Sequence, residues 1–333
     1  MNIDSAFPFR IVSGFRPLRG LHIGHDAAVL TDIRKYQYVR KGSTFVFIAD
    51  HHARSRWDEK VDFLNIRQRS TEIAKQIIAC GIDPEFCVIY RQSDVPELFE
   101  FMWFLAGVVP DSSLKRGHAV ANAIGPSVGM YLYPLLMVSD ILSLRATNVA
   151  IGRDQKQHLE LARNVARRLI KRFGADIIPI PDPLSAEPIL VNGIDSSIEK
   201  PKKMDVEAKN DIPLFADEET IEDRMAETVT RPVQWGQPLP TEGCNILSFA
   251  RCIGGIEFEN QLIGKYGSGQ FGYADAKNEL REVFFEKYRS IRSRYHEISD
   301  KDVNEILNLG GKRARQTISP LIFEIRSAMS TSL

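Results

Sequence analysis

The alternation in the first 107 residues constrains this chain more than any other feature. Apolar runs rich in β-branched and aromatic residues occur at 9–14 (FRIVSG), 44–49 (TFVFIA) and 86–90 (FCVIY). Between and after them, 20–39, 58–80 and 94–107 carry helical spacing. A strand that is apolar at successive positions is buried on both faces. Such strands alternating with helices predict a parallel, doubly wound α/β sheet, because parallel partners need a crossover connection. The pattern continues with a helix at 131–147, a strand at 148–151, a polar, arginine-rich helix at 155–172 and a last strand at 176–180. A proline-bearing polar loop at 181–213 is long enough to carry function. Beyond about 217 every segment reads as helix: 217–228, 243–254, 257–264, 274–296, 301–309 and 311–330.

Lys+Arg and Asp+Glu are equal at 43 each, so a nucleic-acid partner must be met by a local basic patch rather than by net charge. No run of about 18 apolar residues predicts a membrane span. The first residues lack the basic and apolar regions of a secretory signal. Cys80, Cys87, Cys244 and Cys252 form no Cys-x-x-Cys pair, which argues against a metal site. They read as reduced thiols of a cytoplasmic protein.

Four constellations carry chemistry. His22-Ile23-Gly24-His25 follows the first strand, where an α/β sheet binds ligands. Two imidazoles at a helix N-terminus can meet phosphate charge, Gly24 allows close approach, and Arg16 adds a permanent cation. Asp26 is expected to point off that face. Taken alone, such a pair is more often simply a set of helix caps. Gly152-Arg153-Asp154-Gln155 at a strand–helix junction could hold a ribose or an ammonium group, or simply cap a helix. Lys202-Lys203-Met204 in the long loop could close on a triphosphate, or be a solvated charge run. Asp140 is an acid in an apolar helix, and a buried acid needs a donor partner. That partner is either a protein group such as Arg145 or a ligand N–H.

In this order and spacing the four resemble a class I aminoacyl-tRNA synthetase, specifically the tryptophanyl-tRNA synthetase family, over almost the whole chain. Ser13 to Pro17 and Leu21 to His25 are similar to the family's opening turn and HIGH motif. Ala79 to Glu85, Gln92 to Glu97, Tyr133 to Leu142 and Asp154 to Leu161 match family segments, and Gly310 to Met329 resembles its closing helix. The resemblance implies a Rossmann-type ATP- and amino-acid-binding catalytic domain at 1–190, a KMSKS-like loop and linker at 191–216 and an α-helical, anticodon-binding-like domain at 217–333. It implies ATP and Mg²⁺ as cofactors, L-tryptophan and tRNA as partners, and a homodimer. Asp140 would accept the indole N–H and form no salt bridge within the protein. Met137 would pack on the ring, with Phe15 and His52 near the substrate and Tyr133 and Gln155 at the α-ammonium group. Arg16, His22, Gly24, His25, Asp154, Lys202, Lys203 and Met204 would serve ATP, with Arg16, His22, His25 and Lys203 catalytic.

The match departs at the phosphate side. The family's KMSKS reads Lys203-Met204-Asp205-Val206-Glu207, so Val206 stands at the second lysine and two acids replace the serines. The GEDQ motif has Arg153 at its second position. Three expectations follow: a tryptophan–tRNA ligase; a paralogue that activates tryptophan or a derivative for a non-tRNA acceptor; or a tryptophan sensor. A tRNA-binding face is expected from Arg281, Lys287, Arg289, Arg292, Arg294, Lys312, Arg313 and Arg315.

Overall fold

The computed structural model describes residues 7–18, 20–55, 65–117, 127–152, 156–185 and 191–329. Five strands, β1 (Ile11–Phe15), β2 (Thr44–Ile48), β3 (Cys87–Arg91), β4 (Asn148–Val149) and β5 (Asp182–Pro183), pair in parallel in the order β3-β2-β1-β4-β5. This is the doubly wound sheet that the alternation predicts. Both faces are covered. Ile11, Val46, Ile48 and Ile89 join one hydrophobic cluster, and the alternate residues Val12, Phe45, Phe47, Val88 and Tyr90 join the other. The order reverses beside β1, which fixes a ligand crevice between β1 and β4 at the carboxyl ends of the strands.

After β1 the chain forms α1 (Ile23–His25), a π turn (Asp26–Leu30) and α2 (Thr31–Tyr36). After β2 come α3 (Asp50–Arg54) and α4 (Ile66–Ala79), the start of the expected 58–80 helix lying outside the described residues. Then follow α5 (Glu97–Ala106), α6 (Asp111–Gly117), α7 (Val128–Leu142), α8 (Lys156–Phe173), α9 (Glu218–Ala226), α10 (Asn245–Tyr266), α11 (Tyr273–Glu297) and α12 (Asp300–Ala328).

Three expected boundaries move. The apolar helix stops at Leu142 rather than 147, because Arg145 turns left-handed (φ +50) and closes a Schellman cap. Its N–H donates to Leu142 O and that of Ala146 to Ile141 O. The last strand is Asp182–Pro183, not 176–180. Pro179, Pro181 and Pro183 carry no N–H, so the donors left for the ladder are Asp182 N to Thr147 O and Leu184 N to Val149 O, both 2.8 Å. Ile177 and Ile178 are buried as core without pairing as a strand. Finally, 301–309 and 311–330 are one helix, α12. A Cβ at Gly310 would fall 1.9 Å from Ile89 O, so α12 lays its backbone directly on β3. It joins one core through Val303 and Leu307 and the other through Ala314 to Ile325. An otherwise open sheet edge is thereby covered.

Candidate active site

The described site residues gather at the carboxyl ends of β1, β2 and β3. Sequence order separates them, but the parallel sheet points every strand end into one crevice. On the side of β2 and β3, α7 presents Asp140, which is fully buried. His52 Nε2 lies 2.9 Å from its Oδ2, and Gln92 Nε2 donates to Oδ1 and Oδ2 at 2.8 Å each. The expectation of no internal salt bridge is corrected: His52 is an ion-pairing partner whenever its ring is protonated. Arg145 is not the partner. It donates to Ile177 O and pairs with Glu324. Burial pushes the Asp140 carboxyl above its usual range, with His52 and Gln92 opposing. A carboxylate has about four acceptor sites, so one on Oδ1 remains for a ligand donor.

Tyr133 stands beside this group, its hydroxyl 2.9 Å from His158 Nε2 and its ring edge-on to His52 at 6.3 Å. Met137 is half-buried on the same helix. Asp154 and Gln155 fall outside the described residues. Phe15 is buried at the end of β1, edge-on to His25 at 5.9 Å.

On the β1 side, His22 is the extended N-cap of α1. Its Nδ1 accepts the Gly24 N–H at 3.0 Å, and His25 Nδ1 accepts the His22 N–H at 3.3 Å. The histidines therefore do cap the helix, and their rings sit 3.8 Å apart. A Cβ at Gly24 would strike the His22 ring at 2.8 Å, so glycine is needed for that packing. Burial, with His25 and then Lys203 nearby, holds the His22 pKa well below its usual value. With Nδ1 accepting, neutral His22 carries its proton on Nε2, so it offers phosphate a hydrogen bond rather than a charge.

The loop after the sheet lies against this motif. Ile23 N donates to Ile212 O, Leu214 N to Leu21 O, and Met204 N to Val191 O. Met204 buries its side chain in the core and so anchors the loop. Lys202 is committed to Asp195 at 2.6 Å. Glu207 reaches Arg16 at 3.9 Å, both side chains about half exposed (46% and 53%). The acid that replaces a family serine thus faces the cation expected to meet phosphate.

Sequence reasoning gave no role to two residues. Gln92 was noticed only within a matching segment; its position after β3 was the available signal. Asp26 points off the histidine face as expected and receives Arg34 at 2.7 Å, Lys287 at 3.4 Å and the Tyr288 hydroxyl at 2.8 Å. Burial works to raise its carboxyl, but these cations and the hydroxyl hold it below its usual range. The expected basic face of the C-terminal helices is partly spoken for. Lys287 serves Asp26, Arg292 donates to Leu214 O and Ala216 O, Arg281 pairs with Glu222, and Arg315 pairs with Glu97. On α8, by contrast, Lys156, Arg167, Arg168, Lys171 and Arg172 are all exposed.

Comparison with known proteins agrees with this geometry. The family described as tRNA synthetases class I (W and Y) matches residues 5–288. The tryptophan–tRNA ligase of Campylobacter jejuni is 31% identical over 92% of this chain and 95% of its own length. That of Fusobacterium nucleatum is 31% identical over 92% and 93%. The Campylobacter jejuni tryptophanyl-tRNA synthetase, crystallised with ADP and tryptophan, superposes with a TM-score of 0.81 at 29% identity, covering 97% of this chain and all of that one.

Proposed function

The chain belongs to the class I tRNA synthetases of the tryptophan and tyrosine family, and on that premise we propose that it activates L-tryptophan with ATP to Trp-AMP and transfers it to tRNA. The carrying observation is Asp140, buried and held by His52 and Gln92, with an acceptor site left over. Tryptophan differs from the other aromatic amino acids in its ring N–H, and a buried acceptor is the natural reader of that donor. A site built for such a contact rejects ligands lacking it by up to about 10⁴–10⁵-fold. Tyr133 borders the pocket, and Gln155 is the residue we assign with it to the α-ammonium group.

The carboxylate of tryptophan attacks the α-phosphorus and pyrophosphate leaves. The protein's part is positioning and neutralisation of charge. Neutral His22 donates from Nε2, the His25 ring adds a second donor, and Arg16 and Lys203 supply charge; the first N–H groups of α1 are already bonded within the protein. Mg²⁺ would arrive on the triphosphate, bound chiefly by phosphate oxygens and water. The acids at 205 and 207 and the missing second lysine make adenylation slow.

The tRNA surface we favour is α8, whose inner face, Leu159 to Leu169, is core and whose outer face is basic. Phosphate contacts of this kind give affinity that falls steeply with salt. Trp103, three-quarters exposed on α5, is an apolar anchor suited to a homodimer through the N-terminal half. The compartment that fits is the cytoplasm, where buried thiols such as Cys80, its pKa pushed up to about 12, stay reduced.

Tryptophan-dependent ATP–pyrophosphate exchange tests the first step and charging of tRNA the second. Reversing Arg167, Arg168 and Arg172 to Glu should cut charging at least about tenfold and lower the salt slope of tRNA binding, with exchange unchanged. Loss of exchange alongside charging would reject α8 as a tRNA surface.

A further inference from the structure

We propose that Gln92 is the residue that sets tryptophan specificity in this site, by fixing the orientation and acceptor capacity of Asp140. The inference rests on the reading of Asp140 given above.

Gln92 follows the last residue of β3 and is completely buried. Its carbonyl oxygen accepts the N–H groups of His51 and His52, at 3.2 and 3.3 Å, in the first turn of α3. A backbone N–H can only donate, so the amide has one possible orientation: oxygen toward α3, NH₂ toward Asp140. The NH₂ then spans the carboxylate with two 2.8 Å contacts, one to each oxygen. A single nitrogen equidistant from both oxygens takes one lone pair from each, and with His52 on Oδ2 it holds the carboxylate in place and leaves one Oδ1 lone pair for a ligand.

The same amide controls His52. It grips the backbone of the turn that carries His52, whose Nε2 is the other donor to Asp140. One side chain therefore joins the ends of β2 and β3 to α7, and all three meet at the carboxylate. Gln92 donates to Asp140 and never accepts from it, because its only acceptor is already occupied. That arrangement favours the carboxylate, with its remaining acceptor open, over the carboxylic acid, which would turn a donor toward the ligand. A donor-reading site needs the former.

His52 touches only Oδ2, which lies off the Cβ–Cγ axis, so rotation about that bond would break its contact; Gln92 adds the contact to Oδ1 and ties the carboxylate to the turn that carries His52.

The test is calorimetric binding of tryptophan and of its isostere with sulfur in place of the ring N–H, to the full chain and to Gln92→Met, Gln92→Glu and Asp140→Asn, with ATP affinity and Tm measured in parallel. Gln92→Met keeps the volume and removes both donors. It should shrink the preference for tryptophan over the sulfur isostere by about 10- to 100-fold, the range for a hydrogen bond to a charged group, through weaker tryptophan binding, with ATP affinity unchanged. Gln92→Glu keeps the shape, guards against a folding failure of the methionine variant, and should lose the preference at least as far. If Asp140→Asn abolishes the preference while both Gln92 variants keep it, Asp140 reads the indole unaided and the inference is overturned. If Asp140→Asn itself keeps the preference, the underlying reading of the pocket fails, and this inference with it. Tm and ATP affinity falling together at an unchanged preference would mark Gln92 as merely structural.

Discussion

The two halves of the crevice are built by opposite means. Around Asp140, side chains from three elements meet in a buried network in which every distance is 2.8–3.3 Å. Around Arg16, two long, half-exposed side chains face each other at 3.9 Å. On the function proposed above, the contrast follows from what each half must do. Reading one N–H requires a fixed acceptor in a low-dielectric place, where a misplaced polar group is costly. Gripping a triphosphate that arrives, reacts and leaves requires cations that can move, and exposed ion pairs are weak enough to exchange. A buried network tolerates little substitution because each member satisfies others. An exposed loop can change its charges without a packing cost, and here the departures from the family pattern fall on that loop and at Arg153 while the carboxylate at 140 stays in place.

The largest effect expected from this contrast is at the buried end. Asp140→Ala should weaken tryptophan binding, measured by calorimetry, by about 2–4 kcal/mol, the cost of truncating a buried charged hydrogen-bonding group. Unchanged affinity would mean that the network is only structural.

At the exposed end, Asp205→Ser, Val206→Lys and Glu207→Ser together should raise ATP–pyrophosphate exchange, with tryptophan affinity unmoved. The gain is bounded by about 10²–10³, the worth of one transition-state cation contact. If the native chain already exchanges as fast as the triple variant, another cation such as Lys209 or Arg153 fills the missing role.

The smallest effect separates the Arg16–Glu207 contact from the missing lysine. Glu207→Gln alone frees Arg16 and should lower the KM for ATP by less than about fivefold, since an exposed pair is worth at most about 1 kcal/mol. A larger change would show that the Arg16–Glu207 contact is stronger than its exposure suggests.

Much of this molecule was legible before any fold was known. The first three strands fall within two residues of their expected bounds, because a run of β-branched and aromatic residues buried on both faces has few other uses. The histidine pair after β1 and the acid inside an apolar helix were recognisable by type and position. What the sequence could not decide was partnership. Asp140 finds its donors 88 and 48 positions away at His52 and Gln92, rather than at nearby Arg145. Arg145 instead adopts a left-handed cap and turns toward α12. Asp26, next to a motif residue, is claimed by Lys287 and Tyr288 on α11. Gly310, the gap between two expected helices, continues one helix because only glycine there lets it rest on Ile89 O. The prolines at 179, 181 and 183 moved the last strand, since a ladder needs donors as well as apolar side chains. Propensity and patterning act over a few residues, so the sequence by itself determined the elements and the chemical type of each site residue. Hydrogen-bond partners and backbone contacts depend on which distant segments the sheet brings together, so only the tertiary structure decided which donor holds which acid.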